Sequence, residues 1–319
     1  MVHCFRQAVQ RHPVPGLLSF GRFMKTEGPI VAAVDFSEES TAVVSHAIAV
    51  AESAKLPLTL VHVIDSGVLR HRAVTAGRSP EEGVLIAKAH ARLAAMVAEL
   101  RADLGVDIEV TCGRPLDEIH ALLEKSAASL LVMGANDLTK KRLGSVASGC
   151  LRTVRCDVLV LRDWQGGTFS RILVCIDLSP ASGRALGRAV SWAARHGAKL
   201  DIAYVMYPPS RDIWGHLLEQ DLEGDESYAH HCRRVVREQV NAFISPHAER
   251  LASIEHTISV LESVSPGLAL QYHAADTGAD LAVLGSRPHS RLAALFSASI
   301  AEHLLHATTV SVLAVRGHS

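Results

Sequence analysis

The residue types in this chain best suited to chemistry are those that cradle a phosphate. Gly144-Ser145 stands where a helical stretch begins, and continues as Val146-Ala147. The free N–H groups and positive dipole end of a helix N-terminus suit an anion. Gly134 closes an apolar run, Leu130-Leu131-Val132-Met133, and glycine lets backbone approach a ligand closely. Asp35 closes another such run and is followed by Phe36-Ser37. Lys140-Lys141-Arg142 lies between the two glycines and is read as a solvated loop, with phosphate contact as the alternative. If the strands ending at Asp35 and Gly134 are neighbours in a parallel sheet, both residues face one crevice. Open α/β sheets bind ligands there, beyond the carboxyl ends of strands where the strand order reverses.

Other constellations carry less. Eighteen histidines include His230-His231-Cys232 and the pair His303 and His306, which could share a helix face. Neither has a third ligand at recognisable spacing, so no metal is assigned. His62 lies mid-strand and is read as a core or near-site histidine. There is no GxxxxGK[ST] loop, no GxGxxG and no GxSxG elbow. Nothing pairs a nucleophile with a base, so no catalytic residue is assigned.

Composition sets outer limits. A length of 319 residues suggests two domains of about 150 residues. A net charge of −1 exerts no broad pull on nucleic acid or an anionic membrane, and 4% aromatics offers few base-stacking platforms. The apolar runs are strand-length, so no spanning helix is expected. The opening residues Met1–Arg6 lack the apolar core of a signal peptide. Six scattered cysteines without a CxxC pair are read as free buried thiols, which places the protein in a reducing cytoplasm.

The elements that must position these residues are written twice. Residues 30–63 and 172–205 align without a gap, and both open with an apolar strand ending in Asp-x-Ser: Asp35-Phe36-Ser37 and Asp177-Leu178-Ser179. Leu130–Gly134 is mirrored by Leu281–Gly285, and Asp157–Leu161 by Ser311–Val315. A repeat of this length is a whole domain. Continuously apolar strands alternating with helical stretches predict a parallel sheet covered on both faces. The expected strands are 30–35, 58–64, 106–112, 129–134 and 157–162, then 171–177, 199–206, 256–262, 280–285 and 310–316. Ser37 and Ser179 are expected to cap the first helix of each half. Ser79-Pro80-Glu81-Glu82 is expected to open a helix that Gly105 closes, Gly113-Arg114-Pro115 to open the next, and 226–252 to form one long helix. Residues 1–28 are read as a leader, either flexible or preceding a true start at Met24. Residues 29–162 and 171–317 are the two domains, and 163–170 a short linker. Two final strands with open edges should bury them against each other, so Val158–Leu161 is expected to meet Val312–Val315 near a pseudo-two-fold axis.

Asp-Phe-Ser at the first strand end, Leu60–Asp65 at the second, Gly134 before a loop, then Gly-Ser-Val-Ala and a last Val-Leu-Val strand resemble the universal stress protein family in tandem form. The resemblance implies two Rossmann-like α/β domains, each a five-stranded parallel sheet of order 3-2-1-4-5 flanked by helices. Nucleotide-binding members hold ATP phosphates with Gly-x2-Gly-x9-Gly-Ser/Thr, and the ribose and adenine with the strand-1 Asp and the strand-2 Val. Carried over, the implied positions are Asp35, Val63, Gly134, Gly144, Ser145 and Val146, with Asp177, Val205, Gly285 and Ser299 in the second half. Both copies depart from the pattern. In the first, Asp137 replaces the second Gly and the loop to Gly144 is three residues short, so phosphate would need a divalent cation beside it. In the second, Pro288 replaces that Gly and Ala298-Ser299 replaces Gly-Ser. The reading is a cytoplasmic stress-response protein with a binding or regulatory role. Weak, Mg2+-dependent ATP binding is assigned to the first half, with protein partners unknown. The halves form an internal pseudo-dimer, and a further homodimer stays open. The alternatives are a nucleotide-free interaction scaffold and a weak ATPase.

Overall fold

The computed structural model describes residues 28–76, 81–100, 105–135, 143–164, 167–209, 227–286, 300–306 and 308–316. The first half runs β1 (Ile30–Ala33), α1 (Ser40–Ala54), β2 (Leu58–Asp65), α2 (Ser66–Ala76), α3 (Glu82–Glu99), β3 (Val106–Gly113), α4 (Pro115–Ser126), β4 (Leu130–Gly134), α5 (Ser145–Thr153) and β5 (Asp157–Leu161). The second half runs β6 (Arg171–Ile176), α6 (Pro180–His196), β7 (Lys199–Met206), α7 (Tyr228–Ile244), α8 (Ala248–Leu251), β8 (His256–Glu262), α9 (Pro266–Thr277), β9 (Leu281–Ser286) and β10 (Ser311–Arg316). Residues 300–306, before β10, are helical.

Ten strands form one sheet in the order β3-β2-β1-β4-β5-β10-β9-β6-β7-β8. Within each half the pairs are parallel and the order is 3-2-1-4-5, as the family resemblance implied. The halves join where expected. β5 and β10 pair antiparallel, with Val160 opposite Val312, Leu159 opposite Leu313 and Val158 opposite Ala314. Each half thereby covers the other's open edge. The antiparallel junction also points the carboxyl ends of the two half-sheets in opposite directions, so their crevices lie at opposite ends of the molecule.

Strand residues alternate between two cores. Ala32, Leu58, Leu60, Val132, Leu159 and Leu313 pack beneath α1 and α6, while Val31, Val61, Leu131, Val158, Val160 and Val312 pack beneath α4, α5 and α9. Both clusters cross the junction, so the halves share their cores as well as their sheet.

Several helix boundaries differ from expectation. Ser179 caps α6, its Oγ accepting from Ser182 N–H at 3.2 Å. Ser37 does not cap α1, which starts at Ser40 after Glu39 with no side-chain cap; Pro180 at the first helical position starts α6 directly after Ser179, whereas Glu38 stands at the matching place after Ser37. Glu81 precedes α3, likewise without a side-chain cap, and Ser79-Pro80 lies outside the described residues. That helix ends at Glu99, short of Gly105. The long helix of the second half breaks at a 3-10 turn, Ser245–His247, where Pro246 has no N–H to continue the ladder. Helix α2 was not foreseen; Asp65 Oδ1 accepts Gly67 N–H at 2.7 Å at its start. The leader and the choice of Met1 or Met24 lie outside the described residues.

Candidate functional site

β1 lies between β2 and β4, so the strand order reverses beside it. The chain leaves β1 through a tight turn. Val34 N–H still bonds Val61 C=O at 2.9 Å; then Asp35 Oδ1 accepts Ser37 N–H at 2.9 Å and Ser40 Oγ–H at 3.0 Å. Phe36, between them, holds φ at 62°. The second copy repeats this turn. Asp177 Oδ1 accepts Ser179 N–H at 2.9 Å, Ser182 Oγ accepts Asp177 N–H at 3.2 Å, and Leu178 holds φ at 61°. A bulky residue at positive φ costs on the order of 1 kcal/mol or more, and such strain collects at ligand-facing turns. Burial opposes the charge on Asp177, but the hydrogen bonds from Ser179 and Ser182 outweigh it and hold the carboxyl below its ordinary range.

On the β4 side, Gly134 is the last strand residue. Ala135 N–H bonds Leu161 C=O at 2.8 Å, and Ala135 C=O accepts Gly144 N–H at 2.9 Å. That second bond brings the chain back to the end of β4 and sets the N-terminus of α5 there. Gly144 is the N-cap, in extended conformation and with no side-chain hydrogen bond; Ser145 opens the helix and is exposed. The first-turn N–H groups of Ser145, Val146 and Ala147 therefore have no side-chain cap among the described residues. Val63 is half-buried on β2, on the α4–α5 face. Asp35, Gly134, Gly144, Ser145 and Val146 thus gather at one end of the first half-sheet. Asp137 and Lys140–Arg142 lie outside the described residues.

Glu39 was not anticipated. It precedes α1, and its Oε1 accepts Asp163 N–H at 3.2 Å. A methyl group added to Gly134 would stand 3.1 Å from Glu39 Oε2, so a carboxylate leans over that glycine. The only hint in the sequence was a second glutamate after Asp-Phe-Ser. Beside it, Phe36 forms a stack, its ring centroid 4.3 Å from that of His62 and 4.4 Å from the Arg92 guanidinium. His62 Nδ1–H donates to Val34 C=O at 2.7 Å. Burial lowers the His62 pKa; Arg92 adds to this, and the bond to Val34 and the nearby Asp35 oppose it. His62 is near the site, as its position suggested.

The second crevice is built differently. Ala181 occupies the place of Glu39, and a methyl on Gly285 would meet the Ala181 carbonyl carbon and oxygen at 2.4 Å. Helix α6 starts earlier than α1, and its backbone lies directly on the end of β9. Val205 is half-buried on β7, as Val63 is on β2. Pro288, Ala298 and Ser299 lie outside the described residues.

Among the described residues no group of three His, Cys, Asp or Glu side chains could hold a metal ion, and no helix is long and apolar enough to cross a membrane. Cys150, Cys156 and Cys175 are free and buried as expected, whereas Cys112 and Cys232 are free but only partly buried. Burial pushes the Cys150 and Cys156 thiols up to about 12.

Two half-sheets of one order, each with a strained Asp-x-Ser turn at the reversal of strand order, define a duplicated Rossmann-like α/β protein. The sequence profile of the universal stress protein family matches residues 28–162 and 168–316. A universal stress protein of Mycobacterium tuberculosis is 25% identical over 305 residues, spanning 90% of this chain and 96% of its own. Among solved structures, a universal stress protein from Archaeoglobus fulgidus superposes with a TM-score of 0.63 at 20% identity, covering 91% of this chain and 96% of its own. A putative universal stress protein from Pseudomonas aeruginosa gives 0.62 at 17%, covering 91% and 94%. The chain belongs to the universal stress protein family, with two family domains in tandem.

Proposed function

We propose that this protein is a cytoplasmic stress-response protein with a regulatory binding role, in which the first half takes an adenine nucleotide weakly and with Mg2+. Residues 29–162 and 171–317 act as its two domains, joined by 163–170. One observation carries the reading: Gly144 N–H bonds Ala135 C=O at 2.9 Å, which sets an uncapped helix N-terminus at the end of β4, beside the Asp35 turn. Phosphate would meet the N–H groups of Ser145 and Val146, and the ribose would lie toward Asp35. Val63 would flank the base. In the second half Asp177, Val205, Gly285 and Ser299 hold the matching positions, but the contact of Gly285 with Ala181 leaves less room there. Glu39 places negative charge near the phosphates, and Asp137 stands in the sequence where the phosphate-holding pattern has glycine, so a divalent cation is required and binding is weak. Mass spectrometry of small molecules released from the purified protein tests the reading, together with titration of Glu39→Gln. Released adenine nucleotide, and ATP bound roughly 3- to 30-fold tighter by the variant without Mg2+, are expected.

A nucleotide-free interaction scaffold is the second reading. It is favoured by Glu39 leaning over Gly134 and by the closed contact at Gly285. A protein that releases no nucleotide and gives no heat with millimolar ATP would support it.

A further inference from the structure

The linker between the halves is fastened by aromatic side chains around a buried histidine. Phe169 is fully buried, its ring 5.9 Å from Trp192 of α6 and 4.3 Å from Trp164 at the other end of the linker. His46, from α1 of the first half, stands against all three: its ring centroid is 5.2 Å from Phe169, 5.7 Å from Trp164 and 6.3 Å from Trp192. It is 4% exposed, and among the described residues neither ring nitrogen has a hydrogen-bond partner. The linker then enters β6 under a polar clasp, Asp280 accepting Ser170 N–H and Oγ–H, each at 2.7 Å, and Arg171 N–H at 3.0 Å.

His46 is out of place as a core residue. An aliphatic side chain would fill the same space without two buried polar atoms, each costly to leave unpaired. What histidine adds is a proton-dependent charge near physiological pH. The titratable and charged groups around the cluster do little to accommodate that charge. From α6 comes His196, 5.8 Å from Trp192 and 6.1 Å from Phe169, with Arg195 beside it. Arg188, at the position of α6 that matches His46 on α1, is committed to Asp157 at 2.5 Å. From the start of β9, Asp280 is engaged by the linker backbone. Aromatic rings attract an imidazolium, but burial and the neighbouring His196 outweigh them and hold His46 down at about 4.

We propose that His46, Trp164, Phe169 and Trp192 form an acid-released latch, which holds the linker between the two halves at neutral pH and lets it go when His46 is protonated. The open cage binds the proton more tightly than the closed one, so acid shifts the closed–open balance toward open. With His46 near 4 when closed and 6.5 when released, the open fraction rises roughly 30-fold between pH 7.5 and pH 5. The β5–β10 pairing lies outside the cage, so the sheet survives the release. A local opening of this kind would expose an apolar linker face in an acid-stressed cell. The inference does not depend on nucleotide binding.

The test uses the full chain carrying Trp214→Phe, so that the remaining tryptophans are Trp164 and Trp192. Acrylamide quenching of their fluorescence is followed from pH 7.5 to 4.5 beside far-UV circular dichroism. The expected result is a reversible rise in quenching below pH 6.5 with unchanged far-UV signal. It is abolished by His46→Phe and by His46→Gln, and kept by His196→Gln. If one His46 variant fails to fold, the other decides. Persistence of the rise in the His46 variants, its absence from the parent, or loss of far-UV signal in step with it would overturn the latch.

Discussion

At the scale of single residues, the two crevices differ in what lies over their glycines. Gly285 touches the backbone of α6, which cannot swing aside, whereas Gly134 faces the end of a flexible Glu39 side chain. Gly285→Ala should therefore push α6 off the sheet and cost about 2–3 kcal/mol, read as a lowered midpoint in chemical denaturation. Gly134→Ala should fold near-normally and show its effect as weaker nucleotide binding. Equal destabilisation by both changes would contradict the asymmetry. The Asp-x-Ser turns were legible in the sequence because the same types recur in both copies. Glu39 was not, since nothing in Glu38-Glu39-Ser40 tells which glutamate turns inward. The Phe36–His62–Arg92 stack was hidden for a similar reason: Arg92 comes from a helix far along the chain.

At the scale of elements, the copies end their helices differently. Gly197 and Gly278 close α6 and α9 in the left-handed region, where Lys55 and Ala127 close α1 and α4 at φ 55° and 49°. Left-handed backbone suits glycine and strains other residues. Ala127→Gly should raise stability by about 0.5–1 kcal/mol, measurable as a shift of a few degrees in Tm, and a fall in Tm would count against it. At the junction, buried Asp157 accepts Arg316 N–H at 2.8 Å and pairs with Arg188. Arg316, itself buried, reaches Ser286 Oγ and Leu151 C=O. Asp157→Ala strands the Arg188 guanidinium and the Arg316 backbone N–H, both of the other half, and should cost about 3–5 kcal/mol. A change under 1 kcal/mol in denaturant titration would show that the pair is dispensable. Strand limits were readable to a residue or two because continuous apolar runs leave little choice. Helix starts were less so, since α1 lacks the first-turn proline that starts α6 at Ser179 and begins two residues later than its counterpart, and Pro246 cut the long helix of the second half.

At the scale of the molecule, duplication was the most legible fact, and the paired edge strands followed from it. Two copies with unpaired final strands have a low-cost way to cover both, and the structure uses it. The antiparallel junction then separates the crevices to opposite ends, so any ligand of the first half sits far from its counterpart. Gly144-Ser145 against Ala298-Ser299 already pointed to the first half, but the sequence could not give how closely α1 and α6 approach the glycines that end β4 and β9. The central claim is that the first crevice alone takes an adenine nucleotide. Calorimetric titration with ATP, with and without Mg2+, tests it most directly on the parent, Gly144→Val and Ala298→Val. The account predicts one Mg2+-dependent site of roughly 10 µM to 1 mM, about 4–7 kcal/mol, lost in Gly144→Val and kept in Ala298→Val. Loss only in Ala298→Val, tight binding without metal, or no heat at millimolar ATP would contradict it.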